Sequence, residues 1–216
     1  MKNLLFFIAI ASIISCKNEN PSPPLPASEK LNHMPLTVGS YWVYEHFAVD
    51  TTNGINASTG RKDSIVIYSD TLINNKKYVV RMGIAPFLGI NNWGLIDILR
   101  DSLGYLVDES GVVLFAENNF VDTFNVWSLV LGNNDTLANI FYNMEHYLDD
   151  IQTPSGIYTG GLNYKGTVTQ YNANGPFTKY FQNIYVKDVG KVLETTFFLG
   201  QTQSWIEKRL SHYSIQ

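Results

Sequence analysis

Short runs of apolar and aromatic residues, each closed by turn-forming residues, recur from Pro35 to the C-terminus. Tyr41-Trp42-Val43-Tyr44 opens the series. Ile65-Val66-Ile67-Tyr68 and Lys77 to Arg81 follow, joined by Asn74-Asn75, which suits a hairpin tip. Leu95 to Leu99 alternates around Asp97. Asp101 to Gly104 then turns the chain into Tyr105-Leu106-Val107, and Glu109-Ser110-Gly111 turns it into Val112 to Phe115. Later runs are Leu162 to Tyr171, Tyr180 to Val186, Val192 to Leu199 and Trp205 to Tyr213. Strands at this spacing predict a mainly β domain, a single antiparallel meander curved into an open sheet or half-barrel. Residues 137–148 carry a second signal. Leu137, Ile140, Phe141, Met144, Tyr147 and Leu148 fall at helical spacing, with Asp135-Thr136 available as an N-cap. The same residues also read as a long strand running into Thr153-Pro154, and both readings stay open.

Ahead of Pro35 the pattern changes. Lys2 precedes an apolar run from Leu4 to Ile14, too short for the about 20 residues that span a bilayer. Ile13-Ile14-Ser15-Cys16 closes it and resembles the lipobox of bacterial lipoproteins. An ordinary cleavage site would favour a small residue where Ile13 stands. The resemblance implies a signal peptide at 1–15, a diacylglycerol on the Cys16 sulfur and an acylated new N-terminus. One acyl chain holds a protein only marginally, whereas two or three make attachment effectively permanent. Residues 16–34 then read as an anchored tether, with Pro21, Pro23, Pro24 and Pro26 among Ser, Asn, Glu and Lys. In a polyproline conformation it would reach roughly 50 Å. Residues 35–216 form the globular domain. Lys17-Asn18-Glu19-Asn20 resembles the Lys-plus-acidic signal that sends lipoproteins of the Bacteroidota to the outer face of the outer membrane. That resemblance implies an outer-membrane location at the cell surface, with the periplasmic face as the alternative.

Composition removes several classes of function. The formal net charge is −4 and there is no basic cluster, so nucleic acid is a poor partner. Cys16 is the only cysteine, and acylation would consume it. The domain then has no disulfide, thiol nucleophile or thiolate ligand. No HExxH, GxSxG, phosphate-loop or EF-hand pattern occurs. The histidines His33, His46, His146 and His212 are scattered and suggest no metal triad. Asp149-Asp150, if on a strand, would point to opposite faces and could not share one substrate. The expectation is a protein that is not an enzyme, with no cofactor and no metal.

Three segments resemble a group of small uncharacterised Bacteroidota lipoproteins. Pro35-Leu36-Thr37-Val38-Gly39-Ser40-Tyr41-Trp42-Val43-Tyr44 is similar to their PLxxGxxWxY opening. Thr153-Pro154-Ser155-Gly156-Ile157-Tyr158 is similar to their TPAG turn, and Tyr185 to Val192 to the approach to one of their strands. This chain departs from the group at Ser155, Ile157 and Asp188. The shared residues are structural, and no catalytic residue comes with them. Trp42 and Tyr44 share one strand face, where large rings fill a core.

Two sets of candidate sites remain. Tyr158, Tyr164, Tyr171, Tyr180 and Tyr185 make the C-terminal half aromatic and could line a surface for an apolar ligand or a glycan. They could equally be cross-strand pairs that stabilise a sheet. Asp followed by Ser or Thr recurs, placing Thr51, Ser64, Thr71, Ser102 and Thr136 in a context that resembles the O-glycosylation site of exported Bacteroidota proteins. Turn-to-strand transitions give the same dipeptides. The leading expectation is an anchored, non-catalytic binding module. Its rivals are an accessory subunit of an envelope protein complex and a hydrolase with dispersed carboxylates.

Overall fold

The computed structural model describes residues 31–50, 52–53, 55–130, 135–171, 175–197 and 204–216. Cys16, the signal segment, residues 17–30 of the tether and Thr51 lie outside these residues.

The first arm of the fold is a meander. It comprises β1 (Tyr41–Asp50), β2 (Ile55–Ile73), β3 (Lys76–Ala85), β4 (Ile90–Asp101), β5 (Tyr105–Asp108) and β6 (Val113–Ala116). A single 3-10 turn at Pro86–Leu88 links β3 to β4. The second arm comprises β7 (Phe124–Val130), β8 (Thr136–Tyr147), β11 (Gly161–Gln170), β13 (Asn183–Val186), β14 (Gly190–Phe197) and β15 (Ser204–Ser214). The intervening strands are β9 (Ile151–Thr153) and β10 (Gly156–Tyr158), which form a small hairpin, and β12 (Phe177–Phe181), which pairs with β11. Strand order in the main sheet is β6-β5-β4-β3-β2-β1-β15-β14-β13-β11-β8-β7. The first and last strands of the chain therefore join the arms through antiparallel pairing of β1 with β15. The predicted antiparallel curved sheet is present and bends almost into a barrel.

Residues 137–148 are strand, not helix. β8 pairs along its length with β11, from Ala138↔Gln170 to Tyr147↔Gly161, and with β7 on its other side. The helical spacing arises because both faces of β8 carry large side chains. Neighbouring strands satisfy the backbone on both edges, and that overrides local periodicity.

Alternation explains the core. Trp42, Tyr44 and His46 on β1 point inward, facing Ile65 and Ile67 of β2 and Leu210 of β15. The two outer edges, β6 and β7, do not pair through their backbones but meet through side chains. Tyr164 donates its hydroxyl to the Val113 carbonyl at 2.7 Å, and the Asn125 amide donates to the same carbonyl and to Tyr164 Oη. Phe115 and Tyr185 also reach across, with ring centroids 4.5 Å apart.

Packing begins ahead of Pro35. Leu31 and Met34 are buried. The Leu31 amide donates to Asp101 Oδ2, those of Asn32 and His33 donate to Glu117 Oε2, and the Asn32 carbonyl accepts from the Asp188 amide. This strap ties the end of the first arm to the β13–β14 turn. The packed body thus runs from Leu31 to Gln216.

Candidate functional site

The space inside the bent sheet is not filled. A cavity of about 630 Å³ remains between the arms, within the range of small-molecule sites. Its walls are of two kinds. Leu106, Leu114 and Met34 give it apolar inner surface. Val112, Val126 and Trp127 lie at the unpaired β6–β7 seam, and there the cavity opens, with these three 40%, 71% and 57% exposed. Inside the mouth one wall is polar: Arg81, Asp97, Tyr142, Asn183, Tyr185 and Lys191.

Register places the first polar pair. Arg81 on β3 sits directly opposite Asp97 on β4. Arg81 Nε donates to Asp97 Oδ1 at 2.7 Å and its Nη2 to Oδ2, a two-pronged pair. Burial works against the guanidinium charge, but Asp97 more than offsets this and Arg81 stays charged.

Lys191 faces it from β14. Its Nζ donates to Glu194 Oε2 at 2.9 Å and to Asn183 Oδ1 at 3.3 Å. Burial again disfavours the charge, and Glu194 raises the Lys191 pKa above the ordinary lysine value. Glu194 stands behind Lys191 and is shared with Lys208, whose Nζ lies 3.2 Å from Oε1. Burial pushes the Glu194 carboxyl up, yet the two lysines prevail and hold it down at about 2. The chain of charges continues from Lys208 to Asp63 at 3.3 Å and from Asp63 to His46 at 2.9 Å. Those last two contacts are ionic in distance but not aligned as hydrogen bonds.

The phenols complete the wall. Tyr142 stacks on Tyr164 with centroids 4.7 Å apart. Burial raises the pKa of both, so they are neutral hydroxyls at ordinary pH. Tyr44 donates to the Lys191 carbonyl at 3.0 Å and fixes that backbone. Asn125 has a positive φ of 48° within a bulge of β7, which turns its amide inward to the seam.

The aromatic residues singled out in the sequence separate. Tyr164 and Tyr185 are buried and line the cavity. Tyr158 is elsewhere, hydrogen-bonded to Ser155 beside the β9–β10 hairpin. Tyr171 and Tyr180 are exposed on the outer side, with Lys165 Nζ 4.6 Å from the Tyr180 ring centroid. Of the glycosylation-like positions, Ser64 and Thr136 are exposed, while Thr71 and Ser102 are half-buried. Ser64 and Thr71 lie within β2, and Thr136 opens β8. The four histidines have separate surroundings: His33 pairs with Glu117, His46 with Asp63, His212 with Tyr41, and His146 stacks on Phe120. Among the described residues no cluster of three or more His, Cys, Asp or Glu could hold a metal. Asp149 and Asp150 are exposed.

The polar wall itself was not picked out in the sequence as a site. Its signal was present as inward charges, Arg81 and Asp97, in runs of otherwise apolar alternation. What joined them to Lys191 and Asn183 was the closure of the barrel.

No protein-family model matches this chain, and no curated protein matches it. Two solved structures are similar in shape. One is a candidate lipoprotein of Parabacteroides distasonis, 15% identical, with a TM-score of 0.47 over 86% of this chain and 100% of that one. The other is a candidate exported protein of Bacteroides fragilis with a YmcC-like fold, 13% identical, with a TM-score of 0.49 over 84% of this chain and 98% of that one. At these scores, what the site does has to be read from this chain's own residues.

Proposed function

We propose that this protein is a lipid-anchored, non-catalytic binding protein of a bacterial outer membrane, and that its barrel interior holds one small, largely apolar ligand. The observation that carries the reading is the 630 Å³ cavity with an apolar mouth at the β6–β7 seam. A core of this size ordinarily closes to near crystal density, so a space this large with a defined polar wall suits a guest. The lining favours binding over catalysis. Among the described residues its one carboxylate, Asp97, is engaged by Arg81, and no histidine lines it. The anchor rests on the lipobox-like Ile13 to Cys16 and on the proline-rich segment after it.

The test uses the neutral probe N-phenyl-1-naphthylamine. The wild-type body should take it up at one site with a rise in fluorescence, and Leu114→Trp, which fills the cavity, should abolish uptake while leaving the fold intact by circular dichroism. Equal uptake by both proteins would place binding elsewhere and sink the reading.

A second reading has its own observation. Among the described residues β7 pairs with β8 alone, and Val126, Trp127, Leu129 and Val130 along it are exposed. An unpaired apolar edge of this kind suits strand addition by a protein partner. A Val126→Lys/Leu129→Lys variant that releases a co-purifying envelope protein would favour this accessory-subunit reading.

A further inference from the structure

We infer that the ligand is an amphiphile with one small oxyanion head, carboxylate or phosphate, bound head-first against Arg81 and Lys191. This rests on the cavity being a binding site and specifies what it binds. The first ground is the order of the walls. Apolar Val112, Val126 and Trp127 surround the mouth, and Arg81, Asp97 and Lys191 lie farther in, their side chains 15%, 27% and 24% exposed, beside the buried Leu106 and Met34. A guest that matches both has its polar end inside and its tail toward the seam between Val112 and Trp127.

The second ground is the sign of the polar wall. Two cations, Arg81 and Lys191, line the cavity against one anion, Asp97. Glu194 neutralises Lys191 from behind and is itself divided between Lys191 and Lys208. The third ground is the hydrogen-bond inventory. Arg81 commits Nε and Nη2 to Asp97, which leaves Nη1 outside that pair. Lys191 directs two of its three protons to Glu194 and Asn183. The Asn183 amide nitrogen donates to the Tyr164 carbonyl, and its oxygen accepts from Lys191. The Tyr142 and Tyr185 phenols border the same space. The Asp97 and Asn183 oxygens already accept hydrogen bonds, the phenols can donate or accept, and Arg81 and Lys191 can only donate, so a partner rich in acceptors fits this wall. A primary amine or quaternary ammonium head would meet like charge, and a bare hydrocarbon would leave the donors unsatisfied at a cost.

The experiment is calorimetric titration of the body beginning at residue 28 with dodecanoate, dodecyl phosphate and dodecan-1-ol, each below its aggregation limit, at pH 7.5. The expected result is binding of at least one oxyanion at one site, tenfold or more tighter than the alcohol. The ratio of the two anions tells which head the site takes. Lys191→Gln should shrink the gap between acid and alcohol at least threefold. Because that variant could fail to fold, the wild-type comparison stands alone as the deciding one. Equal affinity for alcohol and acids would overturn the oxyanion head and leave the cavity reading intact. No binding of any of the three would contradict the cavity reading itself.

Discussion

Trp42 is 1% exposed, and its indole Nε1 donates to the Val189 carbonyl at 2.7 Å. Gly190 lies against the same ring with φ of 103°, and a Cβ there would come within 2.9 Å of Nε1. Trp42→Phe should therefore cost about 2–3 kcal/mol, from lost volume and a carbonyl left without its donor. Gly190→Ala should cost about 2 kcal/mol or more, since it adds strain at a positive φ to the clash. Urea unfolding measures both. Glu194 gives a pH prediction. Its folded carboxyl titrates at about 2, below its ordinary 4.5, so it contributes stability above pH 4.5 and loses that contribution as pH falls toward 2. Wild-type stability should drop by roughly 2 kcal/mol more than that of Glu194→Gln over this interval, allowing for partial exposure of the side chain. Parallel loss in both proteins would contradict the assignment. At this scale Trp42 was legible as core, because a large ring on the inward face of a strand has few other uses. Lys191 was not legible: its partners Glu194 and Asn183 are near in sequence, but Tyr44, which holds its carbonyl, and Arg81, which shares the cavity wall, are more than a hundred residues away.

The β2–β3 pairing depends on a close approach at Gly83. A Cβ at this position would lie 2.0 Å from the Ser64 carbonyl oxygen, an atom of the backbone that cannot swing aside. Gly83→Ala should shift the register of the hairpin and destabilise the fold by about 2–4 kcal/mol, visible as an early transition in thermal unfolding. A change under about 0.5 kcal/mol would show that the two strands slide freely. The strands of the first arm could be read from the sequence because turn residues separate them cleanly; Asn74 and Asn75, both at positive φ, form the predicted hairpin tip. β7 and β8 were harder. β7 is bulged at Asn125, which breaks alternation, and its outer residues are apolar where a solvated strand would be polar. β8 is flanked by strands on both edges and carries bulk on both faces, and such a segment shows the same spacing as a helix. Both strands line the cavity, β7 at its mouth and β8 through Tyr142, so the least legible elements lie against the proposed ligand.

Among the described residues, two meander arms joined by β1 and β15 pair through their backbones from β6 round to β7, while β6 and β7 do not pair with each other. Side chains bridge that seam at Val113, Asn125 and Tyr164. Asn125→Ala should loosen it, raising amide exchange in β6 and β7 selectively while β1 and β15 stay protected. The curved sheet was legible from the number and spacing of runs; its near-closure was not, because pairing of the first strand with the last leaves no local trace. Ahead of this body in the sequence stands the segment proposed to carry the anchor. Cys16→Ser should abolish incorporation of labelled palmitate and release the protein from membranes, whereas retained label would rule out acylation at that residue. The central claim is that the cavity holds a guest. Native mass spectrometry of the body, gently purified from an envelope and followed by organic extraction, tests it most directly. The expected result is a single stoichiometric adduct that extracts as an anionic amphiphile. A bare polypeptide mass that also stays bare after incubation with dodecanoate would contradict the claim.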